Sequence, residues 1–386
     1  MEKQIDNFQM LAKCFAGFEE VLAKELTQIG ASEVKIVKRG VLFNGDKKLL
    51  YKANYLCRST IRILKPIATF QALSEDELYA EVSKIDWLQY MGLNSTFAID
   101  GITSYSNISH SKYLALKTKD AIVDQFRNKF GKRPNVNTDN PDVSINIRLF
   151  KNEATVSLDS SGESLHKRGY RMAAGPAPMN EVLAASLVLL SGWDGKTNFI
   201  DPMCGSGTIP IEAALFARKI PPGKFRDDYS FKKWNDFDPD LWKQVIDEAK
   251  EQIRDVDIQI VGSDWSGRIL ETAKENVLAA GLKDTVTLKM NFVDDSEPPE
   301  SPGFMITNPP YGERIKVEDI KSLYQGIGDA LKKDYSGYTA WIISSNIEAL
   351  KFVGLRPSRN ITVYSGKLEC RFAKFDMYTG TKKQNN

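Results

Sequence analysis

Three short segments in the second half of the 386-residue chain carry residue types that could bind a ligand and do chemistry. The first follows an apolar run and reads Asp201, Pro202, Met203, Cys204, Gly205, Ser206, Gly207 and Thr208. Glycines between a strand and a helix let a ligand approach the backbone, and the helix N-terminus offers free N–H groups. A P-loop would need a lysine after Gly207, and a dinucleotide-binding turn would need glycine where Pro210 stands. A ligand-binding turn of another kind, with Asp201 facing a positive group, and a purely structural turn both stay open.

The second segment ends the next apolar run at Asp264. A carboxylate in this place can accept both hydroxyls of a ribose. Asp264 follows Asp201 by about 60 residues, whereas about 20 separate the equivalent features of nicotinamide-dependent enzymes. The spacing therefore disfavours an oxidoreductase and makes residues 219–238 an insertion. A helix N-cap is the structural alternative for Asp264.

The third segment, Asn308, Pro309, Pro310 and Tyr311, follows another apolar run and has the most specific chemistry. An exocyclic amine of a nucleobase is a poor nucleophile, because its lone pair is delocalised into the ring. The side-chain oxygen of Asn308 and the backbone carbonyl of Pro309 could accept both amine hydrogens and so localise and aim that lone pair. The two prolines stiffen the loop, and Tyr311 could stack on a base flipped out of its helix. A proline-rich turn without function is the alternative.

Two kinds of element pattern must position these segments. From about residue 181, apolar runs alternate with amphipathic helices, which predicts a doubly wound, mostly parallel α/β sheet. The last two runs are separated by only three residues and predict an antiparallel edge hairpin. Residues 1–180 mix short strands and helices in an α+β pattern, including a long amphipathic helix over 112–130 and a hairpin over 143–158.

Composition excludes several classes of protein. The 52 Lys and Arg nearly balance the 50 Asp and Glu, so the chain is neither a highly basic nucleic-acid tail nor an acidic disordered protein. No apolar run is long enough to span a bilayer, and the first residues do not predict a secretory signal. Four scattered cysteines and two histidines predict reduced thiols and no metal site. We therefore expect a cytoplasmic protein with no membrane partner.

Together the three segments resemble those of class I S-adenosylmethionine-dependent methyltransferases. With the run from Ser164 to Arg171 and the α+β region, the chain is similar to THUMP-domain RNA methyltransferases, in particular the bacterial 23S rRNA guanine-N2 enzymes. The resemblance implies a ferredoxin-like segment over residues 1–44, a THUMP domain over 45–158 and a basic linker over 159–180. It also implies a Rossmann-like methyltransferase domain over 181–386, with a seven-stranded sheet.

The resemblance also implies a role for each segment. The turn from Asp201 to Thr208 would hold the methionine end of S-adenosylmethionine, Asp264 its ribose, and Asn308 to Tyr311 the target amine. Asn308 is also expected to contact the cofactor. Trp265, Asn291 and Phe292 would lie near the adenine; the family usually has Asp at the position of Asn291, whose amide could still bond the base. Covalent methylation of a pyrimidine C5 is excluded, because the loop has no cysteine and Cys204 is expected to fill space.

RNA is the partner that the resemblance implies, rRNA first and tRNA second, with no obligate protein partner evident. Basic residues expected to contact RNA are His166, Lys167, Arg168, Arg171, Arg314, Lys112, Lys117 and Arg127. Residues 1–180 hold 25 Lys and Arg against 20 Asp and Glu, so the predicted RNA-binding half is also the more basic half. An adenine-N6 methyltransferase acting on RNA or DNA and a non-catalytic RNA-binding protein are the alternatives.

Overall fold

Two β-sheets organise the chain in the computed structural model, which describes residues 7–173, 178–311 and 317–378. The first sheet has eight strands in the spatial order β2, β3, β1, β4, β8, β7, β5, β6. The strands β5, β6 and β7 pair in parallel, and the other pairs are antiparallel. The strand bounds are β1 Phe8–Lys13, β2 Ser32–Val37, β3 Gly40–Gly45, β4 Arg62–Gln71, β5 Thr96–Ser104, β6 Asn135–Val136, β7 Val143–Phe150 and β8 Glu153–Asp159.

Strand β4 joins the two halves of this sheet. Its first residues pair with β1, and from Leu64 onward it pairs with β8. One continuous sheet therefore underlies the region in which we predicted two domains. Four helices accompany this sheet: α1 Glu19–Gln28, α2 Lys47–Leu56, α3 Glu75–Lys84 and α4 Ser111–Phe130.

The second sheet has seven strands in the order β11, β10, β9, β12, β13, β15, β14. The first five are parallel, and β15 pairs antiparallel with both β13 and β14, which confirms the predicted edge hairpin. The chain leaves β9 toward β10 on one side and returns to β12 on the other, so the topology switches at β9. The bounds are β9 Asn198–Asp201, β10 Ile260–Asp264, β11 Val286–Met290, β12 Gly303–Thr307, β13 Tyr338–Ser344, β14 Arg359–Ser365 and β15 Leu368–Asp376.

Six helices belong to this half: α5 Glu181–Ser191, α6 Thr208–Ala217, α7 Pro239–Glu251, α8 Gly267–Ala279, α9 Val317–Asp334 and α10 Ile347–Lys351. Helices α5 and α6 are apolar on nearly all sides and are almost fully buried. Helix α7 begins where Asp238 accepts the backbone N–H of Leu241, and its apolar stripe faces the first sheet's helix α2. Sequence periodicity finds α7 but does not find α5, because a helix that is apolar all round has no stripe.

The insertion between α6 and α7 packs against the N-terminal half. The Phe231 ring stacks on Tyr51 of α2 with centroids 4.5 Å apart, and Tyr51 also contacts Trp242 of α7 at 5.8 Å. Tyr229, Phe231 and Tyr51 belong to the same buried cluster as the apolar residues of the first sheet. The insertion thus helps to fix the two halves to each other.

Candidate functional site

The three predicted segments meet at the carboxyl ends of adjacent parallel strands. β9 lies between β10 and β12, so the turn after Asp201, the residues after Asp264 and the loop after Thr307 share one edge of the sheet. Backbone bonds connect them: the N–H of Cys204 donates to the Ser263 carbonyl at 2.8 Å. In open α/β sheets, ligands bind at this edge where the topology switches.

The glycine turn between β9 and α6 leaves room for a ligand. Gly205 and Gly207 have φ of +54° and +81°, a conformation that residues with a Cβ rarely adopt. A Cβ on Gly205 would meet nothing within 4 Å, whereas one on Gly207 would lie 3.3 Å from Ala273 of α8. Gly205 therefore opens the backbone to the site, and Gly207 allows close packing of two helices.

Asp201 lies beneath this turn and holds it together. One of its side-chain oxygens accepts the backbone N–H of Met203 at 3.1 Å and the hydroxyl of Thr307 at 2.8 Å. Burial raises the pKa of the Asp201 carboxyl to about 7, against the lowering effect of these two bonds. Thr307, which sequence reasoning did not single out, thus ties the start of the Asn308 loop to the glycine turn.

Asp264 supports the backbone of the same site. One oxygen accepts the N–H of Gly205 at 3.0 Å and the other accepts the N–H of Ser266 at 3.0 Å. The bond from the Ser266 N–H lies at the start of α8, which begins just after Ser266, and is similar to the helix N-cap that the sequence offered as the structural alternative. Each carboxylate oxygen has a further acceptor position, so both bonds are compatible with a ribose contact.

Two aromatic side chains stand exposed beside Asp264. The rings of Trp265 and Phe292 are 67% and 62% exposed and nearly parallel, with centroids 6.5 Å apart and planes inclined by 14°. The distance between the two ring centroids is close to twice the thickness of an aromatic ring, so one planar ring would fit between them. Asn291 lies between the two in sequence and is half-buried, and its N–H donates to the Asp264 carbonyl at 3.2 Å. The arrangement suits a planar base.

The loop after β12 places its polar groups next to the turn. Asn308 is half-buried, Pro309 is buried, and Pro310 is exposed. The Tyr311 hydroxyl donates to the side-chain oxygen of Asn308, and the Asn346 amide donates to the Tyr311 carbonyl at 3.1 Å. Tyr311 is therefore held against Asn308 by its hydroxyl, an interaction that the prediction of a base-stacking ring did not include.

The cysteines near the site are neutral thiols. Burial raises the pKa of Cys204 well above its ordinary value, and Cys370, beside Tyr311, is also buried with a raised pKa. A thiol is a far weaker nucleophile than a thiolate. This agrees with a space-filling Cys204 and gives no support to covalent C5 chemistry.

The basic linker is mostly structural, which corrects part of the RNA-contact prediction. Arg168 is only 2% exposed; it donates to the Leu165 and Arg58 carbonyls and lies 3.6 Å from the buried Glu212 carboxylate. Burial removes Arg168 from direct contact with RNA. His166 is half-buried on Ser164, whereas Lys167 is exposed and pairs only with Glu163 among the described residues.

The Arg171 side chain bonds residues around the start of helix α6. Its guanidinium bonds the Glu181 carboxylate at 2.7 Å, the Met179 carbonyl at 2.8 Å and the Thr208 hydroxyl at 3.1 Å, and reaches Ser206 at 3.4 Å. Arg171 therefore clamps the start of α6, and its role in binding RNA stays a prediction.

Asn276 of α8 supports the same region and was missed by sequence reasoning. Its amide oxygen accepts the N–H of Met172 at 2.9 Å, and its amide nitrogen donates to the Ser206 carbonyl at 3.0 Å. An asparagine in a helix gives no sequence signal for such a bridge.

The other predicted RNA contacts lie on helix α4 or outside the described residues. Lys112 is exposed, Lys117 pairs with Asp76, and Arg127 pairs with Asp124 on its own helix. Arg314 lies outside the described residues. These positions leave the α4 contacts as predictions.

Comparison with known proteins decides the family. A profile described as the RMKL-like methyltransferase domain matches residues 168–374, more than half of the chain. The chain belongs to the RMKL-like methyltransferase family. Profiles of the RlmL ferredoxin-like domain and of the THUMP domain match residues 9–64 and 72–159. The family is one of class I S-adenosylmethionine-dependent RNA methyltransferases, as the three sequence segments indicated.

Individual relatives agree with this assignment. A protein of Synechocystis sp. named as an RNA methyltransferase is 41% identical, with 94% of this chain and 95% of the relative covered. The ribosomal RNA large subunit methyltransferase K/L of Methylococcus capsulatus is 38% identical, with 94% of this chain covered. The chain spans about half the length of that K/L relative, 50%, and of a second one from Syntrophotalea carbinolica, 52%.

Solved structures show the same fold over the whole chain. A methyltransferase crystallised with S-adenosylhomocysteine has a TM-score of 0.88 and 32% identity, with 99% of this chain and 100% of its own covered. A methylase from Clostridium difficile 630 has a TM-score of 0.88 and 30% identity, with 98% and 100% covered. S-adenosylmethionine is accordingly the cofactor of this RMKL-like enzyme, and the open turn at Gly205 and the paired rings of Trp265 and Phe292 fit it.

Among the described residues, no helix is long and apolar enough to cross a membrane. No group of three or more His, Cys, Asp or Glu side chains among these residues could hold a metal ion.

Proposed function

We propose that the protein methylates an exocyclic base amine in structured RNA, and that the target is N2 of a guanine in 23S rRNA. The observation that carries this proposal is the position of Asn308 and Pro309. Their loop begins at Thr307, whose hydroxyl bonds Asp201 beneath the cofactor turn, so amine acceptors and cofactor turn are fixed side by side.

In this mechanism the chain's residues mainly position the reactants. Gly205 admits the methionine end of the cofactor, Asp264 receives its ribose, and Trp265 and Phe292 receive its adenine. Bound S-adenosylmethionine supplies a methyl group activated by a positively charged sulfur. The amide oxygen of Asn308 has a second lone pair beside the Tyr311 hydroxyl, and it accepts one hydrogen of the target amine.

The Pro309 carbonyl accepts the other amine hydrogen. These two bonds localise the amine lone pair and aim it at the methyl group. The amine proton leaves after methyl transfer, so no strong base is needed. The raised pKa values of Cys204 and Cys370 agree with a route that uses no thiolate.

Large-subunit rRNA is favoured as the substrate by the names of the K/L relatives, of which this chain spans about half. Adenine N6 is the second candidate. A structure from Listeria monocytogenes that is described as a predicted N6-adenine-specific DNA methylase has 30% identity and a TM-score of 0.86. The Asn308 loop would serve either amine, and tRNA is a further candidate substrate.

Nucleoside mass spectrometry distinguishes these targets. Purified protein and S-adenosylmethionine are incubated with rRNA and tRNA fractions from a strain that lacks the gene, and digested nucleosides are measured. We expect N2-methylguanosine to form in the large-subunit rRNA. N6-methyladenosine would overturn the guanine assignment, a product in tRNA alone would overturn the rRNA assignment, and no methylated RNA would refute the proposed function.

The Asn308→Ala variant tests the role of the loop. We expect loss of methyl transfer with the S-adenosylhomocysteine dissociation constant changed by less than about twofold, because the amide acts mainly on the target amine and the other cofactor contacts remain. Asn360→Ala, which alters an exposed asparagine on the edge strand β14, serves as the matched control and should stay active. Normal turnover in Asn308→Ala would contradict the assigned role.

A further inference from the structure

Three non-glycine residues with positive φ lie together at one end of the first sheet. Tyr105 follows β5 with φ of +52°, and Lys151 and Asn152 join β7 to β8 with φ of +51° and +62°. Hydrogen bonds hold this backbone: the N–H of Lys151 donates to the Ser104 carbonyl at 3.3 Å, and the N–H of Asn152 to the Ser106 hydroxyl at 3.0 Å. Lys151 and Asn152 form the two-residue loop of the β7–β8 hairpin, where a positive φ at both residues is ordinary. Tyr105 is the residue for which a left-handed backbone is uncommon.

This end of the sheet displays an aromatic ring to solvent. Tyr105 is 83% exposed, more than any other large hydrophobic or aromatic side chain of the described residues. Its ring contacts Phe150 almost perpendicularly, with centroids 5.9 Å apart and planes at 88°. Most of the Tyr105 ring is therefore available to a planar partner.

Two cations lie against Phe150 beside this ring. The Arg148 guanidinium is 4.7 Å and the Lys151 ammonium 5.6 Å from the Phe150 centroid. Within the described residues neither cation has an ion pair or a side-chain hydrogen bond. Glu153 is the carboxylate opposite Phe150 in the strand ladder, and it pairs with neither of them. We call Tyr105, Phe150, Arg148 and Lys151 the Tyr105 rim.

The rim lies on the sheet face opposite helix α4. A Cβ on Gly101 would lie 2.5 Å from the Ser111 carbonyl oxygen, so α4 covers the face to which Gly101 points. Side chains alternate along a strand, which places Ile102 and its ladder partner Arg148 on the other face, where both are exposed.

More cations continue along this face. Lys13 and Arg62 are partners in the ladder of β1 and β4. Burial lowers the pKa of Lys13, Asp100 raises it, and Arg148, Arg39 and Arg62 lower it further. Arg62 is paired with the buried Asp159. The charges of this face are therefore close enough to influence one another, and positive groups outnumber the carboxylates among them.

We propose that the Tyr105 rim binds an unpaired nucleotide of the RNA substrate, with the base stacked on Tyr105 and its phosphates at Arg148 and Lys151. This inference rests on the proposed function in that it takes the substrate to be RNA. A single exposed ring beside two unpaired cations suits a base and its phosphates. A protein partner would need a larger apolar surface than this rim offers.

Fluorescence anisotropy with the full chain tests the rim, using a short single-stranded RNA oligonucleotide and a duplex of the same length as probes. Tyr105→Asn removes the ring but tolerates the left-handed backbone, and Tyr105→Phe keeps the ring. Tyr378→Asn, which removes an exposed ring just after β15 in the other half of the chain, is the matched control. We expect Tyr105→Asn to weaken single-strand binding about tenfold and the other two variants to bind normally.

Further measurements test the two cations and distinguish a failure of this inference from a failure of the proposed function. Arg148→Gln combined with Lys151→Gln should reduce the slope of log affinity against log salt by about 1.4 for two phosphate contacts on a single strand. Equal single-strand affinity of Tyr105→Asn and the wild type, with unchanged melting temperatures, overturns this inference. If the wild type methylates RNA in that case, the proposed function survives; if it methylates none, the proposed function fails independently.

Discussion

Gly205 and Gly207 share a positive φ but differ in surroundings, and this difference is testable. We expect Gly205→Ala to lower the affinity for S-adenosylhomocysteine, because its Cβ would occupy the open space of the turn. Backbone strain should also cost about 1–2 kcal/mol of stability. Isothermal titration calorimetry and thermal unfolding measure the two effects.

The Gly131→Ala variant distinguishes the effect of backbone strain on stability from the effect of a lost ligand contact on cofactor affinity. Gly131 has φ of +66°, and its Cβ would also meet nothing within 4 Å, but it ends helix α4 in the other half of the chain. We expect a similar loss of stability with normal cofactor affinity. If Gly131→Ala weakened cofactor binding as much as Gly205→Ala does, the turn would not be the contact site.

Asp201 should make the stability depend on pH. Its folded-state pKa of about 7 lies above the ordinary value of 3.8, so the folded state holds the proton more tightly than the unfolded state. The stability from this group is complete below about pH 4 and is lost as the pH rises toward 7. Asp201→Asn removes this titration, so the difference in unfolding free energy between wild type and variant should change between pH 4 and 7.

Chemical denaturation at a series of pH values checks this expectation. The wild type should lose stability relative to Asp201→Asn as the pH rises through this window, and the difference should be constant above it. A pH-independent difference would mean that Asp201 is ionised at its ordinary pKa. The control is Asp255→Asn, since that carboxylate is exposed and pairs with Arg218.

At the scale of elements, the linker connects the N-terminal half to the cofactor turn. We expect Arg171→Gln to destabilise the protein by about 3 kcal/mol, because it leaves the buried Glu181 carboxylate without its cation. Cofactor affinity should fall as well, since Arg171 bonds Thr208 at the start of α6. Thermal unfolding and calorimetry with S-adenosylhomocysteine give both quantities.

Lys167→Gln is the matched control on the same linker. Lys167 is exposed and pairs with Glu163 in the described part of the chain, so its loss should leave stability and cofactor affinity unchanged. A salt-dependent decrease in RNA affinity for Arg171→Gln, with normal cofactor binding, would support the role in RNA contact that the sequence indicated.

Element prediction succeeded where periodicity is clear. Helix α4 runs over Ser111–Phe130, against the expected 112–130, and ends at a left-handed Gly131. Helix α2 was not among the elements predicted from the sequence. In the structure, its residues Lys48 and Lys52 pair with Glu248 of α7. The hydrogen bond from Lys48, and to a smaller extent that from Lys52, lowers the pKa of the Glu248 carboxyl to about 2.

At the scale of the whole molecule, the insertion between α6 and α7 holds the halves together. We expect Phe231→Ala to cost about 3–5 kcal/mol, because the fully buried ring fills the space between Tyr51 and Trp242. Since this contact joins the halves, denaturant unfolding of the variant should separate into two transitions.

Circular dichroism and tryptophan fluorescence during unfolding detect that separation. Phe130→Ala, which truncates an exposed ring at the end of α4, should change the stability little and keep the wild-type profile. A small effect of Phe231→Ala with coincident transitions would show that other contacts fix the halves.

The domain division expected at residue 44 stays a prediction. The sheet is continuous through β4. The ferredoxin-like profile ends within that strand, at residue 64, and the THUMP profile begins just after it, at residue 72. Strand β4 pairs with β1 and with β8, which is far from it in the sequence. Such pairing leaves no local signal in the composition, so the sequence could not reveal that both parts of the sheet share β4.

The sequence alone indicated the methyltransferase family of this protein, because a glycine turn, a strand-end carboxylate and an Asn-Pro-Pro-Tyr loop are local patterns with specific physical requirements. It also determined the alternation of strands and helices and the edge hairpin. Only the tertiary structure decided which charges are free. Arg168 and Arg171 look alike in sequence, yet one is buried on Glu212 and the other clamps the cofactor turn. The net charge can be summed from the sequence. Whether a charged side chain is buried or paired depends on which residues the fold places next to it.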